Sequence, residues 1–532
     1  MIRKYIKNEK LRIVLLIFVS IIGAIITSLV PYISGMFIDS LISNPDMKII
    51  YNYCIFFLIV MIITIILGYV NSICGIKVKN NINFNFIDDI ISIIYEISYM
   101  KLKDMNMSYL VQRINQDCST IVNFYFNIIL GGIVNIIQTI FIGYLLLQIN
   151  IQIFILVIVL NVFYWILYSI FKKRVYLIKF ELKEKSDKLF ASLFEQLRYI
   201  KLIKIFDIEI FLKRRLYDNY KLYYSTSINA QKINYCFSSI QTLLKYLAQI
   251  ILFIFGGIEI IKGKLSIGIY SIMAGYFTSL NDSLKFFIDS LNNYIEVKVS
   301  IKRINDIKNL VDKDEQIKTI LDTVTNIKLD RCSIYIADKK VISDFSYEFN
   351  IGSSYCIYGM NGSGKTTLVE TIIGLNENNF KGNIKYNDID INNLNMKNVL
   401  LNKISYLPQT VDIIEDSVVN NITLSQKCNF EKLQQLILGF NLEQKNIASL
   451  INFQNNNISG GEIKKIGIIR SILKKSDVYI FDEPLASLDF EAKRVFHNIV
   501  NQLKKEAIVI VISHEDITEN NYDEIIRLEE IK

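Results

Sequence analysis

Six apolar runs, at residues 13–32, 53–73, 128–147, 151–171, 246–261 and 267–288, are each of roughly bilayer-spanning length and restrict the first half of this chain to a bundle of membrane helices. About 20 residues at a rise of 1.5 Å cover the ~30 Å of bilayer hydrocarbon. Ahead of the first run stand Arg3, Lys4, Lys7, Lys10 and Arg12, and such basic flanks stay on the cytosolic side. A secretory signal would carry a shorter apolar run followed by a small-residue cleavage site, and the sequence has neither. The first span begins so early that no appended N-terminal domain is expected. An even number of spans then returns the chain to the cytosol.

The connections between the runs differ in kind. Gln148, Ile149 and Asn150 alone separate the third run from the fourth, which makes those two an antiparallel hairpin. Residues 77–125 and 172–236 are long and basic, with apolar residues at helical spacing such as Leu189, Phe190, Leu193, Phe194 and Leu197. They predict helices that continue from spans two to five into the cytosol, each pair closed by a turn placed to meet a cytosolic domain. Asn161, Gln249, Glu259, Asn281, Asp282 and Lys285 interrupt the last three runs, and Asp289 stands at the inner end of the sixth. Intramembrane polar groups face a bundle interior or a cavity. Asp282, Lys285 and Asp289 also stand three and four apart, so neutralisation along one helix face is the alternative to a substrate cavity.

Composition agrees with this division. Of 532 residues 52% are hydrophobic, and the excess lies before residue 300. The net charge of +8 comes without a basic stripe interleaved with aromatics, so it is assigned to the cytosolic face of a membrane protein and no nucleic-acid partner is expected. Seven scattered cysteines without a C-x-x-C pair indicate neither a disulfide framework nor a zinc site.

Past the charged stretch Val311 to Gln316 the chain changes character, and short apolar runs alternate with amphipathic segments as in an α/β domain. Tyr355 to Tyr358 reads as a strand, Leu368 to Ile373 as a helix, and between them Gly359, Met360, Asn361, Gly362, Ser363, Gly364, Lys365, Thr366 and Thr367 match the G-x-x-x-x-G-K-[ST] phosphate loop. Its glycines let backbone N–H groups converge on phosphate oxygens, with Lys365 for the terminal phosphates and Thr366 for Mg²⁺. Val478 to Phe481 and Ala507 to Ile512 have the length and apolarity of buried parallel strands. The first ends in Asp482, suited to orient Mg²⁺, and Glu483, suited to orient or deprotonate the attacking water. The second ends in His514, suited to meet the γ-phosphate; His497 is expected to be structural. Ser459, Gly460, Gly461 and Glu462 open a further helix whose N-terminus would bind an anion. One chain can hardly fold it onto its own phosphate loop, and a site shared by two chains resolves this.

This ordered set resembles the ATP-binding cassette (ABC) exporters, specifically half-transporters with one membrane domain fused to one nucleotide-binding domain. Ile404 to Gln409 is similar to the glutamine loop, Ser459 to Glu462 to the signature motif and Phe481 to Pro484 to the Walker B strand. Ser487 to Asp489 is similar to the D-loop, and His514 to the switch histidine. Leu110 to Asp117 resembles the first intracellular loop, and Gly263 to Gly268 the turn into the last span. The resemblance implies a six-helix transmembrane domain over residues 1–310, a linker over 311–325 and an α/β P-loop ATPase domain over 326–532. It implies catalysis by Glu483, His514 and Gln409, and Mg²⁺ held by Thr366, Gln409 and Asp482. The ATP would lie on Gly359 and Asn361 to Thr367, with Tyr335 stacked on adenine, and a second chain's Ser459, Gly460, Gly461, Glu462 and Asp489 would complete each site. A homodimer is preferred over a heterodimer because both halves of the catalytic set are present. Departures from the family pattern are Glu462, where Gln is frequent and the change is expected to be tolerated, and Ile451 to Asn457, which lacks an acidic, Gly-containing loop. The expected function is ATP-driven export of a peptide, lipid or drug-like substrate across the cell membrane, with the N-terminus and ATPase domain cytoplasmic. A membrane-bound ATP-dependent sensor or regulatory subunit without flux is the alternative.

Overall fold

The computed structural model describes residues 2–43, 46–103, 105, 107–149, 151–311, 319–336, 339–376, 379–442, 458–514 and 521–528. These divide into two compact units, one of residues 1–97 and 101–312, the other of residues 98–100 and 313–532. Most of the charged stretch after Val311, and the segment 451–457, fall outside the described residues.

The first unit is helical throughout. Its long helices are Lys10–Ser43, Met47–Ile94, Met107–Asn127 continuing through one π turn (Ile128–Gly132) into Ile133–Ile149, Ile151–Arg198, Glu209–Ile261 and Ile267–Lys308. Each of the six apolar runs lies inside one of them. Among the described residues four stretches, Lys10–Ser43, Met47–Ile94, Met107–Gln148 and Glu209–Ile261, are long and apolar enough to cross a membrane. Ile267–Lys308 is outside that set and carries Asn281, Asp282, Lys285 and Asp289. The side chains of Asn161 and Trp165 are outside the described residues. The 48-residue helices are about 72 Å long, more than twice the hydrocarbon thickness. Their excess length forms the extensions expected from residues 77–125 and 172–236. Short helices, Tyr99–Lys103 and Ile200–Phe206, occupy the two turns.

Small residues bring the first and last long helices together. A Cβ on Gly35 would lie 2.5 Å from the Gly268 carbonyl, so neither position has room for a side chain. The Asp39 carboxylate accepts from Ser266 Oγ at 2.6 Å and from the Gly268 N–H at 2.7 Å, where Ser266 caps the last helix. Of the polar residues in the spans, Asp282 pairs with Lys245 of another helix at 3.4 Å, and Glu259 with Lys262 and Lys264. The spacing argument for an Asp282–Lys285 pair is therefore corrected: the neighbouring helix presents a cation of its own.

Beyond the apolar spans, the extensions bury charge as well as Phe86, Ile90, Cys118, Ile121, Val297 and Ile304. Arg303 lies between Asp117 and Asp187: its Nε is 3.0 Å from Asp117 Oδ2 and its guanidinium also donates to Asp187. All three side chains are at most 3% exposed. Lys183 Nζ and Ser300 Oγ each reach Asp117 Oδ1 at 2.8 Å, and Arg113 lies 3.9 Å from Asp187. Burial pushes the Asp187 carboxyl up to about 6 against the pull of Arg303.

The second unit contains two sheets. A five-stranded parallel sheet has the order β6-β7-β8-β3-β9, from β3 (Ser354–Tyr358), β6 (Ile404–Leu407), β7 (Val478–Asp482), β8 (Ile508–Ser513) and β9 (Glu524–Arg527). Strands β7 and β8 are buried along their whole length, as their unbroken apolar runs require. An antiparallel sheet of order β2-β1-β4-β5 joins β1 (Asn326–Ile336), β2 (Lys339–Asn350), β4 (Phe380–Tyr386) and β5 (Ile389–Asp390). The sequence reading did not foresee this second sheet. Its strands mix charged and apolar residues, and β1 shifts register against β2 three times between Leu329 and Tyr335, so no clean alternation survives.

Candidate nucleotide-binding site

The carboxyl ends of β3, β7 and β8 are neighbours in the parallel sheet, and the segments that follow them carry the chemistry. After β3 the chain turns through Gly362 and Gly364, at φ +86° and +90°, before the helix Lys365–Ile372 begins. Only glycine adopts such angles without strain. A Cβ on Gly364 would lie 2.7 Å from Val341 of β2, so the loop is also pressed onto the antiparallel sheet. The Lys365 ammonium donates to the Gly359 and Met360 carbonyls at 2.7 and 3.0 Å, folded along the loop's own backbone. Ser363 is buried. Asn361, Thr366 and Thr367 occupy the loop and first helical turn as their spacing requires.

Thr366 Oγ1 donates to Asp482 Oδ2 at 2.8 Å. Asp482, at the end of β7, is fully buried, and its Oδ1 has no hydrogen-bond partner among the described residues. Burial pushes its carboxyl above the usual range, against the Thr366 hydrogen bond. A buried hydroxyl and carboxylate with one unsatisfied oxygen beside a phosphate loop fit a divalent cation, which supplies the missing charge.

The neighbouring Glu483 has φ +48°, a strained value for a non-glycine residue. Its N–H donates to the Ile512 carbonyl at 3.1 Å, which ties it to β8. One carboxylate oxygen accepts from Gln409 Nε2 at 3.0 Å, and the other lies 3.2 Å from His514 Nδ1. Three residues far apart in sequence thus meet at one carboxylate. Tyr335 lies near the end of β1, with the Lys381 ammonium 5.5 Å from its ring centroid. His497 makes an edge contact with the Tyr522 ring at 5.7 Å, a packing role.

Ser459 caps the helix Gly460–Leu473. The Ser459 N–H and Oγ both donate to Glu462 Oε2 at 2.7 Å, and the Glu462 N–H returns a bond to Ser459 Oγ at 3.3 Å. This closed capping box uses the carboxylate that replaces the more frequent glutamine. A Cβ on Gly461 would lie 2.9 Å from the Ser487 carbonyl, so glycine is needed for that approach. Asp489 caps the next helix through the Ala492 N–H at 2.8 Å and pairs with Lys465 at 2.6 Å. Lys464, which the sequence reading passed over, is buried and donates to the Gln409 and Asp482 carbonyls. Burial lowers the affinity of its amine for a proton, and the charges of Asp482 and Glu483 oppose that shift. Its signal in the sequence is a pair of adjacent lysines within an isoleucine-rich helix.

Comparison with known families decides the assignment. The family model for the ABC transporter transmembrane region matches residues 13–284, just over half of the chain, and the family model described as ABC transporter matches residues 342–486. The chain belongs to the ABC transporter family. Over 361 residues it is 27% identical to the lactococcin-G-processing and transport ATP-binding protein of Lactococcus lactis subsp. lactis, covering 64% of this chain and 50% of that protein. Over 348 residues it is 27% identical to the ATP-dependent lipid A-core flippase of Francisella tularensis subsp. holarctica, covering 62% of this chain and 56% of that one. The alignments thus span little more than half the length of these curated relatives. The fold matches a bacterial Atm1-family ABC exporter with ATP bound, at TM-score 0.85 and 16% identity, over 98% of this chain and 95% of the other. The ABC exporter fold and the apolar helices make this a multi-pass membrane protein with an ATP-binding domain.

Proposed function

We propose that this chain is an ATP-hydrolysing exporter that works as a dimer of identical half-transporters. The observation that carries the reading is the convergence of Gln409, Glu483 and His514 on one carboxylate beside Thr366 and Asp482. A degenerate regulatory subunit has no need of that constellation.

In this reading the backbone from Gly359 to Gly364 cradles the phosphates, and Lys365 exchanges its two carbonyl partners for the terminal phosphate oxygens. Thr366, Asp482 and Gln409 would hold Mg²⁺, which draws charge from the phosphate oxygens. Glu483 orients the attacking water and accepts its proton, and His514 meets the γ-phosphate. Tyr335 stacks on adenine with the face that Lys381 leaves free. The helix that starts at Ser459 serves the other chain's nucleotide, with Gly460, Gly461, Glu462 and Asp489 at that seam. Closure is favoured only by contacts that the γ-phosphate makes across the seam, so hydrolysis releases them. The membrane helices then alternate between the two sides, with the N-terminus and the ATPase domain cytoplasmic in the cell membrane.

The cargo is a peptide, a lipid or a drug-like molecule. Two of the curated relatives are a lactococcin-G-processing and transport protein and a lipid A-core flippase, and the second supports the lipid class. A cavity of about 320 Å³ in the helical unit is lined mainly by apolar residues such as Val19, Leu67, Leu130 and Val134, with Thr27, Asn71 and Gln138 among its polar members and without Asp282, Lys285 or Asp289. In vesicles, Glu483→Gln is expected to abolish ATP turnover and transport while ATP stays bound. Turnover near that of the unaltered protein would refute the role of Glu483.

A further inference from the structure

Helix Gly460–Leu473 is joined to the segment that follows β6 along one face. The Lys464 ammonium donates to the Gln409 carbonyl at 3.0 Å and to the Asp482 carbonyl at 3.2 Å. One turn on, a Cβ at Gly467 would lie 2.7 Å from Val411 and 2.8 Å from Leu407, so helix and segment touch as closely as backbone allows. A further turn on, Arg470 donates to the Asn421 and Asp412 carbonyls at 2.8 and 3.0 Å, and Ser471 accepts through its carbonyl from Ser405 Oγ at 2.7 Å. Of these polar ties, Lys464 alone reaches the end of β7, one residue before Glu483.

That reach closes a ring. Lys464 joins the backbones at 409 and 482, while the Gln409 and Glu483 side chains join each other at 3.0 Å. Lysine is almost never buried without such partners, and Lys464 is 6% exposed. We propose that Lys464 is a positioning residue for ATP hydrolysis: by holding the Gln409 and Asp482 carbonyls together, it fixes the Gln409 and Glu483 side chains relative to each other and to the helix that begins at Ser459. The inference rests on the ATPase reading above and adds a link within each chain. The helix that would grip the partner's nucleotide at its N-terminus is bolted, less than two turns later, to the backbone of Asp482, the residue before its own catalytic carboxylate. A lysine does this where a shorter amide would not span both acceptors, because its four-carbon stem crosses the apolar interior before its donors emerge.

The test is Lys464→Met in the full-length protein in vesicles, which keeps the apolar stem and removes the donors. The expected result is kcat for ATP at least fivefold lower with the ATP dissociation constant unchanged within threefold, because the phosphate cradle is untouched. A smaller fall in kcat, or a loss of ATP affinity in step with kcat, overturns the proposal. Lys464→Gln, which keeps a polar group in the buried position, carries the same test if the methionine variant does not fold. Failure of both to fold assigns the lysine a purely structural role and likewise overturns it. If the unaltered protein hydrolyses no ATP, or hydrolyses it equally well as Glu483→Gln, the ATPase reading falls first and takes this role with it.

Discussion

Arg303→Met tests how the long helical extensions beyond the apolar spans are held. The Arg303 guanidinium sits between two carboxylates, each 1% exposed, and contacts both. Its removal leaves Asp117 with Lys183 and Ser300, but leaves Asp187, among the described residues, with Arg113 at 3.9 Å as its one remaining ion-pair partner. Breaking a buried ion pair by deleting one partner costs about 3–5 kcal/mol, because the surviving charge stays desolvated. Cys118 offers a local reporter: it is fully buried next to Asp117, and burial pushes its thiol up to about 12. In a protein whose other six cysteines are replaced, alkylation of Cys118 measures opening of this region. A loss of about 3 kcal/mol raises the opening constant, and with it the labelling rate, by more than a hundredfold. Pairing the change with Asp187→Leu should recover much of the loss, since an apolar replacement leaves no orphaned carboxylate. Labelling of Arg303→Met within threefold of the parent would refute the argument.

Two further outcomes follow from the same physical reasoning. Because the Asp187 carboxyl titrates at about 6 in the folded protein and near 4 when unfolded, the folded state binds the extra proton between those values and loses stability as pH rises through them. Protection of Cys118, corrected for the intrinsic thiol rate, should therefore fall from pH 4.5 to 7, and the trend should vanish in Asp187→Asn. Glu462→Gln should lower the ATP concentration for half-maximal turnover by about two- to tenfold, since it keeps a capping side chain but removes a carboxylate from the helix N-terminus proposed above to meet phosphate. Unchanged or weakened ATP dependence would place Glu462 away from the nucleotide.

The parts of this fold that were legible in the sequence are those whose signal is local. The apolar runs declare themselves within about twenty residues, and the phosphate loop and the buried strands β7 and β8 within about ten, by length, apolarity or fixed spacing. The resemblance then supplied Gln409, whose position opposite Glu483 depends on β6 pairing with β7 across 70 intervening residues. What escaped was long-range and polar. Asp282 found Lys245 on another helix instead of Lys285 on its own, and nothing in the spacing of either helix announces that crossing. Arg303, Asp117 and Asp187 look like ordinary surface charges on helical segments until three helices bury them together. Lys464 was hidden for the same reason, since a lysine beside a signature-like motif reads as solvated until its carbonyl partners are seen.

In the proposed function each phosphate loop is half of a site completed by a second chain. This is tested most directly by mixing two populations in a background without other reactive cysteines, one carrying Asn361→Cys and the other Ser459→Cys, and oxidising with and without ATP. The account predicts a disulfide between the two chains that requires ATP and is lost when Lys365→Ala is added. No intermolecular disulfide with ATP, or one that forms equally without it, would contradict the shared site.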